Sequence, residues 1–115
     1  MAAELTSAER IALIHRGNAL FHGGQVDLAE RIFRTVRYQD GLRRVAERRF
    51  QQQRYLSALE LYRLGKSLRG EVQCLEKLGL LEPGRFADVS AADRKAMDEA
   101  ANQRIARVVS KMLSS

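Results

Sequence analysis

The chain has 115 residues, a length that suits one compact domain, and 45% of them are hydrophobic, enough for a buried core. A single proline favours helices over a turn-rich β architecture, and 30% charged residues suit a soluble surface. One cysteine excludes an internal disulfide and favours a reducing, cytoplasmic setting. The longest apolar runs span four residues, far fewer than the roughly 20 that a membrane-spanning helix needs.

The first two predicted helices form a hairpin. Thr6 and Glu9 have the spacing of a capping box, which predicts a helix that begins after Thr6 and ends at Gly23-Gly24. We expect Asp27 to cap the second helix. Apolar residues follow at helical spacing: Ile11, Leu13, Ile14, Leu20 and Phe21 in the first helix, and Leu28, Ala29, Ile32, Phe33 and Val36 in the second.

Three further helices are predicted before residue 80. Asp40 is expected to cap the third helix, and residues 51–54 form the turn that follows it. Gly65 ends the fourth helix, Ser67 caps the fifth, and Gly79 stops the fifth. Their inward faces carry Leu42, Val45, Ala46 and Phe50, then Leu56, Leu59, Leu61, Tyr62 and Leu64, then Val72, Leu75 and Leu78.

A long final helix is predicted after a loop over 80–89. Ser90 and Asp93 form a weaker capping box, so this helix is expected to cover 90–113. Its apolar stripe consists of Met97, Ala101, Ile105, Val108 and Met112. We expect the stripe to cover the open end of the preceding helices, so that residues 1–115 form a single domain with a C-terminal capping helix.

The chain matches itself at an offset of 29 residues. The pattern of sizes repeats more clearly than the identities do: a small residue, an aromatic, a small residue, an aromatic and a glycine recur in order. A helical hairpin needs a small residue where its helices approach closely and a large one beside it. The matched pairs are Gly17 and Ala46, Phe21 and Phe50, Ala29 and Ala58, Phe33 and Tyr62, and Gly41 and Gly70.

These spacings resemble those of the tetratricopeptide repeat, over about residues 10 to 80. Two and a half hairpins would occupy residues 6–79, in an all-α superhelical array of helix-turn-helix units. The period of 29 is shorter than the family's, which is about 34 residues, and Gly41 and Gly70 stand where the family has proline. An unrelated helical bundle remains the alternative.

The resemblance implies a groove that is lined by the first helix of each unit and receives a peptide or helix of a partner protein. Transferring the groove positions gives one set on the first helix and one on the third: Ile14, Asn18 and His22, then Arg43, Glu47 and Gln51. Arg43, Arg44 and Arg48 are expected on the outward side of the third helix, so Arg44 and Arg48 join this candidate site. The alternative is that these residues form ordinary solvated faces.

Basic residues are concentrated in one segment. Eight arginines lie between residues 31 and 54, and only Asp40 and Glu47 oppose them. Such a field favours an acidic protein segment, a nucleic acid or an anionic membrane surface. Because most aromatic residues are predicted to be core, with only Tyr38 and Tyr55 exposed, the sequence favours a protein scaffold or assembly factor. A basic RNA- or DNA-associated domain and a small secretion-type chaperone remain alternatives.

No pattern in the sequence indicates catalysis. His15 and His22 are seven residues apart on one helix face, but two imidazoles are too few for a structural metal site, which needs about four ligands. Cys74 aligns with Val45, a core position, which predicts a buried thiol. No glycine-rich phosphate loop and no nucleophile-base pair is recognisable, so we expect a non-enzyme without a metal or cofactor.

Overall fold

The computed structural model describes residues 4–86 and 94–114, with side chains from Lys95 onward in the second range. These residues form an all-α structure with six helices and no strand. The helices are α1 (Ser7–His22), α2 (Val26–Val36), α3 (Gln39–Gln51), α4 (Tyr55–Leu64), α5 (Leu68–Lys77) and α6 (Arg94–Ser114). Each helix packs against the next in chain order, and α1 also contacts α3. This succession of neighbours is compatible with a helical repeat.

Two of the predicted caps are confirmed and two are wrong. Thr6 accepts a hydrogen bond from the Glu9 amide at 3.1 Å while the Glu9 carboxylate accepts one from the Thr6 amide at 3.0 Å. Ser67 caps α5 through the Gly70 amide at 3.2 Å. Asp27 and Asp40 are not N-caps, because α2 and α3 each begin one residue earlier, and both carboxylates bind arginines instead. The capping box at 90–93 lies outside the described residues.

Backbone features of the first two hairpins recur at the 29-residue offset. Gly24 and Gln53, which follow α1 and α3, have φ angles of 85° and 62°. Arg37 and Lys66, which follow α2 and α4, have φ angles of 53° and 56°. Each of these four helices ends with a hydrogen bond from an amide to the carbonyl five residues earlier, as in a Schellman motif. The recurrence supports a repeating unit of 29 residues.

In each hairpin, an aromatic ring of the second helix lies against a glycine in the first turn of the helix that follows. A Cβ atom added to Gly41 would come within 2.6 Å of the Phe33 ring, and one added to Gly70 within 2.2 Å of the Tyr62 ring. Phe33 also lies on Gly17, where an added Cβ would be 2.6 Å from the ring. Glycine therefore stands at these helical positions because a ring occupies the space of its side chain.

Ion pairs join the first hairpin to the second. Arg49 is only 6% exposed and pairs with Asp27 and with Glu30, the latter at 3.5 Å. Arg34 on α2 pairs with Glu60 on α4 at 3.2 Å. A buried arginine requires such partners, because an unpaired buried charge is strongly destabilising. These contacts hold α2 along the face of the α3–α4 hairpin.

The final helix packs against the core through its first turns only. Met97, Ala100 and Ala101 are buried and belong to the core cluster. Ile105 and Met112 are 42% and 70% exposed, and Val108 is 51% exposed. The expectation that the whole apolar stripe would pack is therefore wrong for its C-terminal half. Every described side chain from residue 102 onward is exposed.

Candidate partner-binding surface

A small depression lies between the C-terminal end of α1 and the outer face of α3. Its volume is about 210 Å³, and we name it the α1–α3 depression. Its lining consists of Phe21, Arg44, Glu47, Arg48 and Gln51. Four of these five residues belong to the predicted site. Their spacing on α3, at positions i, i+3, i+4 and i+7, places them on one helix face.

Two guanidinium groups beside the depression lie over aromatic rings. Arg48 is 5.1 Å from the centroid of the Phe21 ring, and Arg44 is 5.9 Å from that of Tyr38. Neither arginine forms a salt bridge with a carboxylate in the described part of the chain. Ring stacking orients a guanidinium while leaving its N–H groups free to bind a carboxylate.

The predicted α1 residues lie beside this depression but do not line it. Ile14 and Asn18 fall on the same face of α1 as Phe21, at i, i+4 and i+7, and both are half-buried. His22 is exposed, and its ring packs edge-on against Phe21 with centroids 5.9 Å apart. The Asn18 side-chain oxygen is buried and has no hydrogen-bond partner among the described residues.

The structure separates Arg43 from the rest of the predicted set. Its guanidinium pairs with Asp40 at 2.6 Å, and its Cγ lies next to Gly65 at the end of α4. Arg43 therefore faces α4 and is not part of the α1–α3 depression. Arg34 and Arg49 also bind carboxylates, so part of the basic segment holds helices together.

Phe21 is a site residue that the sequence did not indicate. Its spacing in α1 predicted a core residue, yet it is half-buried and lines the depression. Tyr38 and Tyr55, which were expected to be exposed, are also half-buried and pack against Phe33 and Phe50 at centroid distances of 5.6 and 5.2 Å. No local sequence pattern links Phe21 to Arg48, because the two residues lie on different helices and meet only through packing.

The thiol of Cys74 does not line the α1–α3 depression. Cys74 is buried, and burial together with the nearby Glu71 carboxylate raises the pKa of its thiol to about 11. Within the described ranges, no three histidine, cysteine or carboxylate side chains converge as metal ligands would. None of the helices in those ranges combines the length and apolarity required to cross a bilayer.

The fold places the chain among all-α proteins whose helices pack in succession. A comparison with protein-family models, with curated proteins and with solved structures found no match to the chain in any of the three.

Proposed function

We propose that this chain is a non-catalytic, tetratricopeptide-like interaction module that binds an acidic segment of a partner protein at the α1–α3 depression. The proposal depends on one observation: the guanidinium groups of Arg44 and Arg48 lie over aromatic rings beside a depression that Phe21 lines. Arginines whose orientation is already restricted lose less conformational freedom when they bind a carboxylate.

The size of the depression favours a side chain of a larger partner over a small molecule. Small-molecule sites usually enclose about 300–1,000 Å³, whereas this depression has about 210 Å³. Phe21 and the arginine stems supply apolar contact, and the guanidinium groups supply charge complementarity. A partner residue such as leucine, flanked by glutamates, matches this arrangement.

The packing of the tyrosines favours a protein partner over a nucleic acid. Single-stranded nucleic acids bind through aromatic rings that are open for base stacking. Tyr38 and Tyr55 are half-buried and each packs against a phenylalanine, so neither ring is fully open to a base. The basic charge would still attract phosphates, so nucleic acid belongs in the test as a competitor.

The test uses a short labelled peptide with a single leucine flanked by glutamates, which lacks the apolar stripe of an amphipathic helix, and measures anisotropy near 150 mM salt. We expect the Arg44→Glu/Arg48→Glu variant to bind this peptide at least about tenfold more weakly than the wild type. Arg43 is left unchanged because it is already paired with Asp40. A version of the peptide with lysines in place of glutamates should not bind.

Matched controls separate charge from folding. The Arg16→Glu/Arg31→Glu variant has the same change in net charge on another face and should retain binding at this site. Circular dichroism melts of both variants establish that each is folded. Tighter binding of generic RNA or duplex DNA than of the acidic peptide, lost in Arg44→Glu/Arg48→Glu, would replace the proposal with the nucleic-acid alternative.

A further inference from the structure

One face of the second hairpin is buried, and the equivalent face of the first hairpin is open. Helix α3 packs against both α2 and α4, and α2 contacts it through Phe33 at Gly41 and Asp27 at Arg49. Five residues of α3 are buried: Gly41, Leu42, Val45, Ala46 and Arg49. The equivalent α1 residues, 29 positions earlier, are Ala12, Leu13, Arg16, Gly17 and Leu20, and only Gly17 is buried. The difference arises because no described helix precedes α1 and lies where α2 lies on the second hairpin.

A groove of about 420 Å³ marks this place, and we name it the end groove. Its apolar lining comes from Leu13 and Leu20 on α1 and from Leu28 and Ile32 on α2. Ile32 is only half-buried, whereas Leu61, its counterpart in the second hairpin, is completely buried. Leu28 is 44% exposed. At 100° per residue, Leu13 and Leu20 lie about 100–160° around α1 from Ile14 and Asn18. The end groove and the α1–α3 depression have no lining residue in common.

The described residues that line the end groove include two cations and no carboxylate. Arg16 and Arg31 belong to its lining, together with Thr35. Neither arginine forms a salt bridge within the part of the chain that the structure describes. An occupant therefore needs an apolar stripe with negative charge beside it.

The internal symmetry specifies where that charge lies. On the second hairpin, Glu60 of α4 forms a salt bridge with Arg34 of α2. Its counterpart on the first hairpin is Arg31, so the sign is reversed and the occupant needs a carboxylate where α2 has Arg34. Likewise, Arg49 of α3 binds Asp27 of α2, and the counterpart of Arg49 on the first hairpin is Leu20. The occupant therefore needs an apolar residue where α2 has Asp27.

We propose that the end groove binds one amphipathic helix of a partner protein, which continues the array as α2 does on the second hairpin. The helix carries an apolar residue at one position and a carboxylate seven residues later, which is the spacing of Asp27 and Arg34. A second copy of α6 is a poorer match. Its exposed half carries Arg104, Arg107 and Lys111 and no carboxylate, so it would be repelled by the basic border.

The probe that tests this is a stapled helical peptide of residues 25–38 with Asp27→Leu, Phe33→Leu and Arg34→Glu. The leucine at 33 allows for Ala12, which replaces the ring-contacting Gly41. The comparison peptide keeps Asp27 and Arg34. We expect the redesigned peptide to bind the full chain at least about tenfold more tightly, and to shift the amide NMR signals of Leu20 and Ile32.

Variants of the protein locate the binding. Arg16→Glu/Arg31→Glu should weaken the redesigned peptide at least about tenfold, whereas Arg44→Glu/Arg48→Glu should not change it. Failure of the α1–α3 proposal would leave this result intact, because the two faces carry separate arginine pairs. Three outcomes would overturn the inference: no binding up to about 1 mM, equal binding by Arg16→Glu/Arg31→Glu, or concentration-dependent dimerisation that shifts the groove signals without peptide.

Discussion

Replacing Gly41 with alanine tests how closely the first hairpin packs against the second. The added Cβ would lie 2.6 Å from the Phe33 ring, well inside the 3.4 Å at which ordinary contact begins. Phe33 cannot withdraw freely because its other side lies on Gly17 and it is completely buried. Overpacking of this kind costs roughly 1–3 kcal/mol, against a gain of up to about 1 kcal/mol for alanine over glycine in a helix.

The expected net result is a loss of about 1–2 kcal/mol, or roughly 4–8 °C in Tm for a domain of this size, measured by thermal and urea melts. Phe33→Leu removes the ring and supplies a double-mutant cycle. Gly41→Ala should cost less in that background, because the two substitutions share one contact. A Tm that rises in Gly41→Ala, or strict additivity with Phe33→Leu, would refute the ring-on-glycine packing.

Four further outcomes are expected. Ala58→Leu should destabilise the second hairpin by roughly 1–3 kcal/mol, since Ala58 is completely buried; an unchanged melt would contradict this. Gln53→Gly should raise stability by up to about 1 kcal/mol, because glycine adopts its positive φ without strain. Cys74 should resist thiol reagents at pH 8 until urea unfolds the chain; because its pKa is raised to about 11 from the usual 9.0, the associated stability should be present below pH 9 and lost between pH 9 and 11. Removing residues 102–115 should leave the melt unchanged, whereas removing 90–115 should cause self-association as the apolar face beneath α6 becomes exposed.

The local features of the helices could be predicted from the sequence. The capping box at Thr6 and the cap at Ser67 depend on hydrogen bonds within three residues, so their spacing was sufficient. The caps predicted at Asp27 and Asp40 failed because both carboxylates bind arginines that are distant or one turn away. For Asp27 the partner comes from another helix through tertiary packing, whereas for Asp40 it lies one turn away in the same helix.

The candidate site was predictable only in part. Arg44, Glu47, Arg48 and Gln51 share a helix face by periodicity alone, and the structure brings them together. Nothing in the local pattern separates Arg43 from Arg44, yet the first faces α4 and the second faces Tyr38. The position of a neighbouring helix, which depends on the whole fold, decides which of two adjacent arginines is available to a partner.

The sequence by itself determined the all-α class and the 29-residue periodicity, because both follow from helical spacing and from the alternation of small and large residues. Only the tertiary structure decided which apolar faces are covered. Leu61 is completely buried, while its counterpart Ile32 lines an open groove, and the stripe of α6 packs at Met97 but not at Met112. Equivalent residues differ in exposure because burial depends on which helix lies alongside, and none of the described helices lies on α1 as α2 lies on α3.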